Sequence, residues 1–357
     1  MATGSANSIP PEVTDDIRTL IVDAGITQNV DLIARILATG VGLGLDGADR
    51  LDLKITSSAL TEMRAAFQLF DPYEDVPKVT IFGSARTRPE DARYRQAAAV
   101  ATALAERGWM VVTGAGPGIM QAAAEGAGSE RSIGVSIRLP FEDKPNAVIA
   151  AGTNNVAMKY FFTRKLMLVK ESRGFICVPG GFGTLDEMFE LLTLQQTGKA
   201  DPTPIVLLDA PGGSFWEGLR RFVDEELVRS GVVSADDFDR VLITDSVEAA
   251  ADEITGFWRN YDSLRWVGKR LVLRLRHAPT DAELRMLNDR FGHLVASGEI
   301  ERGSARRIER DEQDRLHLER LILTPNQFEV GSLHTLIRAI NALDSASGEP
   351  GAAQSRA

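Results

Sequence analysis

Pro179-Gly180-Gly181-Phe182-Gly183-Thr184-Leu185-Asp186-Glu187 stands directly after the apolar run Phe175-Ile176-Cys177-Val178. Three glycines, a hydroxyl and a helix start meet in this one turn. The backbone amides of Gly180 to Thr184 can wrap a phosphate, and the Thr184 hydroxyl can either add a bond to it or cap a helix starting at Leu185. Glu187 then falls about one turn into that helix, on the far side of the anion. A carboxylate beside a phosphate cradle weakens binding unless it has a task. The competing reading is a capping box from Thr184 to Glu187, which needs no ligand. Upstream, Arg164 and Lys165 sit among Phe161, Phe162, Leu166 and Met167. Two adjacent cations on a largely apolar helix need an anionic partner, or else they snorkel to solvent on their aliphatic stems.

Two more glycine turns follow expected strands. Gly83-Ser84-Ala85-Arg86 comes after Val79 to Phe82; the glycine permits close approach of a ligand, and Ser84 offers a hydroxyl and an amide. By that motif alone, a tight strand-to-helix turn is the better explanation. Gly114-Ala115-Gly116-Pro117-Gly118 comes after Trp109 to Thr113 and opens onto Ile119 and Met120. It is close to a dinucleotide fingerprint, but the third glycine would fall at Ile119 and no acidic residue closes the next strand. A mononucleotide or sugar phosphate therefore suits this turn better than NAD. The chain has no G-x-S-x-G elbow and no G-x-x-x-x-G-K-[ST] loop. Its four histidines, at 277, 293, 317 and 334, form no H-x-x-x-H pair, so neither a metal nor a cofactor is expected.

The elements that must carry these turns alternate from Lys78 to Thr244: short β-rich apolar runs with longer helical ones, the pattern of βαβ units around a parallel sheet. Strands are expected at Val79 to Phe82, Trp109 to Thr113, Arg131 to Ile137, Asn146 to Ala150, Gly174 to Val178, Ile205 to Leu208 and Val241 to Ile243. Helices are expected at Tyr94 to Arg107, Gly118 to Gly128, Val156 to Glu171, Leu185 to Thr197 and Phe215 to Ser230. Before them, Thr14 to Phe70 has helical spacing, interrupted at glycines 40, 42, 44 and 47. After about Asp262 come a basic strand from Arg265 to Arg276, a helix from Asp281 to Ala296, a charged loop from Ser297 to Asp314, a strand from Leu316 to Leu323 and a helix from Val330 to Leu343. The fold class is thus α/β: a Rossmann-like doubly wound parallel sheet with N-terminal helices and a small C-terminal α+β lobe. The expected divisions are 1–75, 76–261 and 262–345, with a mobile tail over 346–357. Arg265, Lys269, Arg270, Arg274 and Arg276 read as solvated charges on an edge strand, with an anion site as the alternative.

Composition narrows the function classes. Fifty acidic residues against forty basic ones give a formal charge of −10, which argues against a protein that coats nucleic acid. The one cysteine cannot form an internal disulfide, no apolar run reaches the roughly 18 residues of a membrane span, and the first residues lack the order of a secretory signal. A cytoplasmic protein with no nucleic-acid or membrane partner is expected.

The combination of Phe162-Thr163-Arg164-Lys165 with, fourteen residues later, Gly180-Gly181-Phe182-Gly183-Thr184-Leu185-Asp186-Glu187 resembles the Lonely Guy family, often labelled lysine decarboxylase-like. The likeness spans roughly Lys78 to Thr244, with Gly83 to Arg86 and Gly114 to Met120 as supporting turns. It implies a Rossmann-like homo-oligomer, a dimer or larger, that hydrolyses the N-glycosidic bond of nucleoside 5'-monophosphates such as AMP or a cytokinin ribotide. Arg164 and Glu187 would be the catalytic pair and Gly180, Gly181, Phe182, Gly183 and Thr184 the phosphate cradle, with Leu185 and Asp186 also among the substrate-binding residues. Lys165 and Thr193 would assist, and Gly83, Ser84, Gly114, Gly116 and Met120 would contact base or ribose. Phe162 stands where members often carry a histidine. No lysine is placed for a Schiff base, which weakens the decarboxylase label. The rival class is a nucleotide or cofactor carrier, which would have little need of a carboxylate beside its cradle.

Overall fold

The computed structural model describes residues 9–138, 145–326 and 332–347. The chain divides into two compact units, Met1–Ala65 and Ala66–Ala357. The first unit contains α1 (Pro11–Asp23), α2 (Val30–Leu45) and most of α3 (Arg50–Phe70). Glycines 40, 42 and 44 do not interrupt α2 as the spacing suggests: Asp46 still donates its amide to the Gly42 carbonyl at 2.8 Å. A helical glycine costs about 1 kcal/mol against alanine but removes no hydrogen bond, so it weakens a helix without ending it. The turn comes at Gly47, where φ is +69°.

The second unit runs β1 (Lys78–Phe82), α4 (Ala92–Glu106), β2 (Met110–Thr113), α5 (Ile119–Ala127), β3 (Ser132–Ile137), α6 (Ala147–Ala151), β4 (Asn155–Met158), α7 (Phe161–Lys170), β5 (Gly174–Cys177), α8 (Phe182–Gln196), β6 (Ile205–Leu208), α9 (Phe215–Phe222), β7 (Val241–Thr244) and α10 (Val247–Gly256). These seven strands form one parallel sheet in the order β4-β3-β2-β1-β5-β6-β7. All residues of β1, β2, β5 and β6 are buried, as expected of central parallel strands covered on both faces. Ile81, Val111, Ile176 and Val206 pack with Val100 and Leu104 of α4 and with Ala250 and Ile254 of α10. The chain winds from β1 outward through β2, β3 and β4, then returns to the other flank of β1 for β5, β6 and β7. That reversal opens a crevice beyond the carboxyl ends of β1 and β5, the place where such sheets bind ligands.

Two expected elements between β3 and α7 are corrected. Asn146 to Ala150 is not a strand: the Asn146 side chain accepts from the Ile149 amide at 3.2 Å and caps the short helix α6. The sheet strand is Asn155–Met158, so the helix expected from Val156 begins only at Phe161. An apolar run as short as Ala147 to Ala151 suits either state, and the cap decides it. Beyond Phe222 the expected long helix continues as a wider π turn over Val223–Val228.

The C-terminal lobe holds β8 (Tyr261–Val267), β9 (Arg270–Leu275), α11 (Asp281–Phe291), β10 (Glu301–Arg302), α12 (Arg307–Asp311), β11 (Glu319–Leu323) and α13 (Leu333–Asn341). Its strands form an antiparallel sheet in the order β10-β11-β9-β8. The single basic strand expected from Arg265 to Arg276 is thus a hairpin turning at Gly268, whose φ is +62°. Its second arm, β9, is interior, and Arg274 is buried rather than solvated. The expected charged loop contains β10 and α12. Asp344–Ser347 form a turn with Ala346 buried, and the rest of the expected tail, like Val330, lies outside the described residues. Among the described residues no helix is long and apolar enough to cross a membrane.

Candidate active site

Three loops meet at the crevice. Beyond β1, the Ser84 carbonyl accepts from the Ile119 amide at 3.0 Å and the Ser84 hydroxyl accepts from the Arg86 amide at 3.1 Å. The first of these bonds ties the Gly83–Ser84 turn to the start of α5. Gly118, with φ +68°, has no room for a side chain against Ser84 and Ala85. Beyond β5, a methyl on Gly180 would strike the Thr184 hydroxyl and come within 3.0 Å of the Ser84 amide. Close loop packing fixes these glycines. Gly181 and Gly183 differ: nothing lies within 4 Å of where their side chains would start.

The helix α8 begins at Phe182, earlier than Leu185, with Gly181 at the cap position and no side-chain cap. Thr184 and Glu187 therefore form no capping box. Thr184 lies inside the first turn, and the first-turn amides have no acceptor within the helix, which makes this end a site for an anion.

Beyond β2, Ala115 holds a left-handed conformation at φ 60°, unusual for a residue with a side chain. Asn146 secures it: its amide donates to the Ala115 carbonyl at 2.8 Å and its side chain to the Gly116 carbonyl at 3.1 Å. Met120 lies over this loop, against the positions of Gly114 and Gly116. Asn146 was missed from sequence because its segment read as a strand.

Arg164 crosses from α7 into the crevice. Its Nε donates to the Val135 carbonyl at 2.9 Å and one Nη to the Gly114 carbonyl at 3.4 Å; a side chain on Gly114 would collide with the guanidinium. Burial lowers the Arg164 pKa from its ordinary value, and Glu187 supports the charge. Glu187 itself is buried, and its Oε2 has no hydrogen-bond partner. Burial pushes its carboxyl up to about 7; Lys165 and Arg164 pull it back, while Glu190 and Asp186 add to the rise. A buried carboxyl with an unspent acceptor, able to gain or lose a proton near neutrality, is equipped for acid–base work. Cys177 below it is buried, and that burial, reinforced by Glu187, raises its thiol pKa and keeps it protonated.

Glycines 83, 114, 116, 180, 181 and 183, with Ser84, Met120, Thr184, Arg164 and Glu187, thus belong to three converging loops and the helix behind them. Leu185 is half-buried in the first turn of α8. Asp186 and Lys165 pair with each other at 2.8 Å. Thr193 stands apart: it is exposed, its hydroxyl donates to the Phe189 carbonyl at 2.8 Å, and six residues at 3.6 per turn set it on a different face from Glu187.

Residues 118–254 match a family model described as "Possible lysine decarboxylase". The chain is 32% identical over 171 residues to the cytokinin riboside 5'-monophosphate phosphoribohydrolase of Mycobacterium marinum (strain ATCC BAA-535 / M), covering 47% of this chain and 87% of that protein. The chain belongs to the Lonely Guy family. The protein of the same name from Mycobacterium tuberculosis (strain ATCC 25618 / H37Rv) is 33% identical over 163 residues, covering 43% of this chain and 81% of its own length. Among solved structures, the molybdenum cofactor binding protein of Rippkaea orientalis aligns with a TM-score of 0.37 at 21% identity, over 50% of this chain and 96% of that one. The Lonely Guy pattern of an Arg-Lys pair and a glycine-rich turn ending in a glutamate is here a physical unit, since the crevice brings Arg164 and Glu187 within electrostatic reach.

Proposed function

We propose that this chain hydrolyses the N-glycosidic bond of a nucleoside 5'-monophosphate, an adenine or cytokinin riboside among them, to free base and ribose 5-phosphate. The observation that carries this is Glu187: buried, with Oε2 unpartnered, beside Arg164 and one turn inside a helix at whose start a side chain on Gly181 or Gly183 would meet nothing within 4 Å. The phosphate sits on the amides from Gly180 to Thr184, where the helix end favours negative charge without a lysine. This places the ribose toward Glu187. As the C1'–N bond breaks, positive charge develops on the sugar, and the ionised carboxylate stabilises it and takes a proton from the attacking water. The water oxygen bonds to C1', and the departing base takes its proton from solvent. Arg164 holds phosphate and ribose oxygens; as a guanidinium it remains charged and does not donate that proton.

The apolar faces flanking the crevice support self-association. Phe161, Phe162 and Leu166 of α7 are exposed, and Phe182, at the mouth of the cradle, is 93% exposed. A second copy covering them would shield the crevice from water. Sedimentation should show a dimer or larger assembly that Phe162→Asp weakens; a fully active monomer would overturn this part.

The deciding experiment is chromatography of products after incubation with AMP, GMP, CMP and isopentenyladenosine monophosphate. Free base with ribose 5-phosphate is expected from the wild type and not from Glu187→Gln. Intact nucleotides despite measurable binding would make the chain a carrier.

A further inference from the structure

Asp186 and Glu190 lie four residues apart on α8, a spacing at which two carboxylates repel. Lys165, arriving from α7, resolves this: its Nζ is 2.8 Å from Asp186 Oδ2 and 2.7 Å from Glu190 Oε2. Glu187 stands between the two in sequence, yet among the described residues Lys165 forms no ion pair with it. A cation that acts on the Glu187 carboxyl is thus paired with two other carboxylates. Asp186 is largely exposed, so water competes for its contact; Glu190 is the more sheltered of the two, with a side chain 35% exposed against 63%.

We propose that Glu190 is a positioning residue: together with Asp186 it tethers Lys165 along α8 and so keeps the ammonium out of an ion pair with Glu187. The inference rests on the reading of Glu187 as the reacting carboxylate. The groups that act on Glu187 are Lys165 and Arg164 from α7, Asp186 and Glu190 on its own helix, and the Cys177 thiol from β5. Arg164 is fixed by the carbonyls of Val135 and Gly114, and the buried thiol stays neutral. Lys165 is the adjustable charge. Held by two carboxylates, it belongs to a cluster with one net negative charge, which favours a proton on Glu187. Freed from Glu190, the ammonium can approach Glu187 and favour its ionised form.

The test is a carbon-13 titration of the Glu187 carboxyl in the full-length, substrate-free protein, alongside pH profiles of kcat and kcat/KM. In Glu190→Gln the Glu187 midpoint should fall by about half to one pH unit, with the acid limb of kcat/KM following it, and most of that fall should vanish when Lys165→Met is added, because it comes from the released ammonium rather than from the lost Glu190 charge. Glu190→Asp, which keeps the charge, should restore most of the shift. An unmoved midpoint in Glu190→Gln would overturn the tether, as would a lower KM at an unchanged midpoint, because Lys165 would then be serving the substrate phosphate. A wild type that releases no base from any nucleotide would defeat the functional reading instead, and the titration would still decide the tether.

Discussion

Two glutamates in this chain are buried to a similar degree and are treated in opposite ways. Glu187, in the crevice, keeps Oε2 without a partner, and burial lifts its carboxyl to about 7. Glu309, in the C-terminal lobe, is completely inaccessible, but Arg274 donates to its Oε1 from Nε at 3.0 Å and Nη2 at 2.8 Å, Arg320 approaches the same oxygen at 3.3 Å, and the Arg306 amide donates to Oε2 at 2.9 Å. Burial works to raise this carboxyl too, but these donors outweigh it and hold it below the ordinary value. Asp314 extends the network to Arg274 and Arg265, each at 2.6 Å. Burial alone therefore does not mark a functional acid. What sets Glu187 apart is an acceptor spent on neither a hydrogen bond nor an ion pair, which leaves the carboxyl available to water and substrate.

The sharpest break of this comparison is Glu187→Gln. Losing the proton-accepting carboxylate should lower kcat by about 10³-fold. Stability should move the other way. The folded carboxyl titrates near 7 against an ordinary value of 4.5, so between those values the native state binds the extra proton and wild-type stability falls as pH rises. Above pH 7 the charged form is fully penalised, and Glu187→Gln should gain up to about 3 kcal/mol relative to wild type at pH 8, a gain that disappears toward pH 4. Urea unfolding at the two pH values checks both signs. The same group sets the activity profile: kcat/KM should rise through a midpoint near 7 as Glu187 ionises, and a flat profile from pH 5.5 to 8.5 would remove it from the role of base.

Glu309→Gln should give the inverse pattern, with activity per folded molecule retained and stability reduced by about 3 kcal/mol at pH 7, because the buried Arg320 loses its counter-charge while Arg274 keeps only the more exposed Asp314. Since the folded value is depressed, the wild-type contribution is present above the ordinary value of 4.5 and is lost as pH falls through the lower folded one. The wild-type and variant melting temperatures should therefore converge as the pH falls below the ordinary value of 4.5 and through the lower folded one. If Glu309→Gln instead abolished turnover without unfolding, the lobe would be part of the site and the contrast would collapse.

The parallel sheet, its glycine turns and the presence of a C-terminal α+β lobe were legible in sequence, and the buried charge network of that lobe was not, for a physical reason. Each loop of the crevice is local, a strand, then a glycine turn, then a helix start, and Glu187 follows its own turn directly; Arg164 stands out by its apolar neighbours in sequence, although the carbonyls it reaches lie 29 and 50 residues away. The alternating runs also gave the parallel sheet, since strands buried on both faces leave continuous apolar segments. The network in the lobe joins Arg265 and Arg274 to Glu309 and Asp314, at least 35 residues away in sequence for Arg274 to Glu309. No local pattern encodes such pairing, so these arginines read as solvated. Asn146 failed in part for a related reason: its cap on α6 is local, but its bonds to the loop of Ala115, 30 residues away for Gly116, are visible only once the two segments are brought together.

The smallest expected effect separates binding from chemistry inside the crevice. Gly183 lies in the first turn of α8 with nothing within 4 Å of where its side chain would start. Alanine fits there and restricts the unfolded chain, so Gly183→Ala should stabilise the protein by about 0.5–1 kcal/mol. Phosphate bound at these amides is remote from the breaking bond and is held equally in the ground and transition states. A methyl group beside it should therefore raise KM severalfold while leaving kcat unchanged. Gly114→Ala places its methyl against the Arg164 guanidinium, so it should lower kcat by about tenfold through misplacement of that group. A Gly183→Ala variant that lost kcat rather than KM would mean that the first turn of α8 acts on the reacting sugar and not on the phosphate.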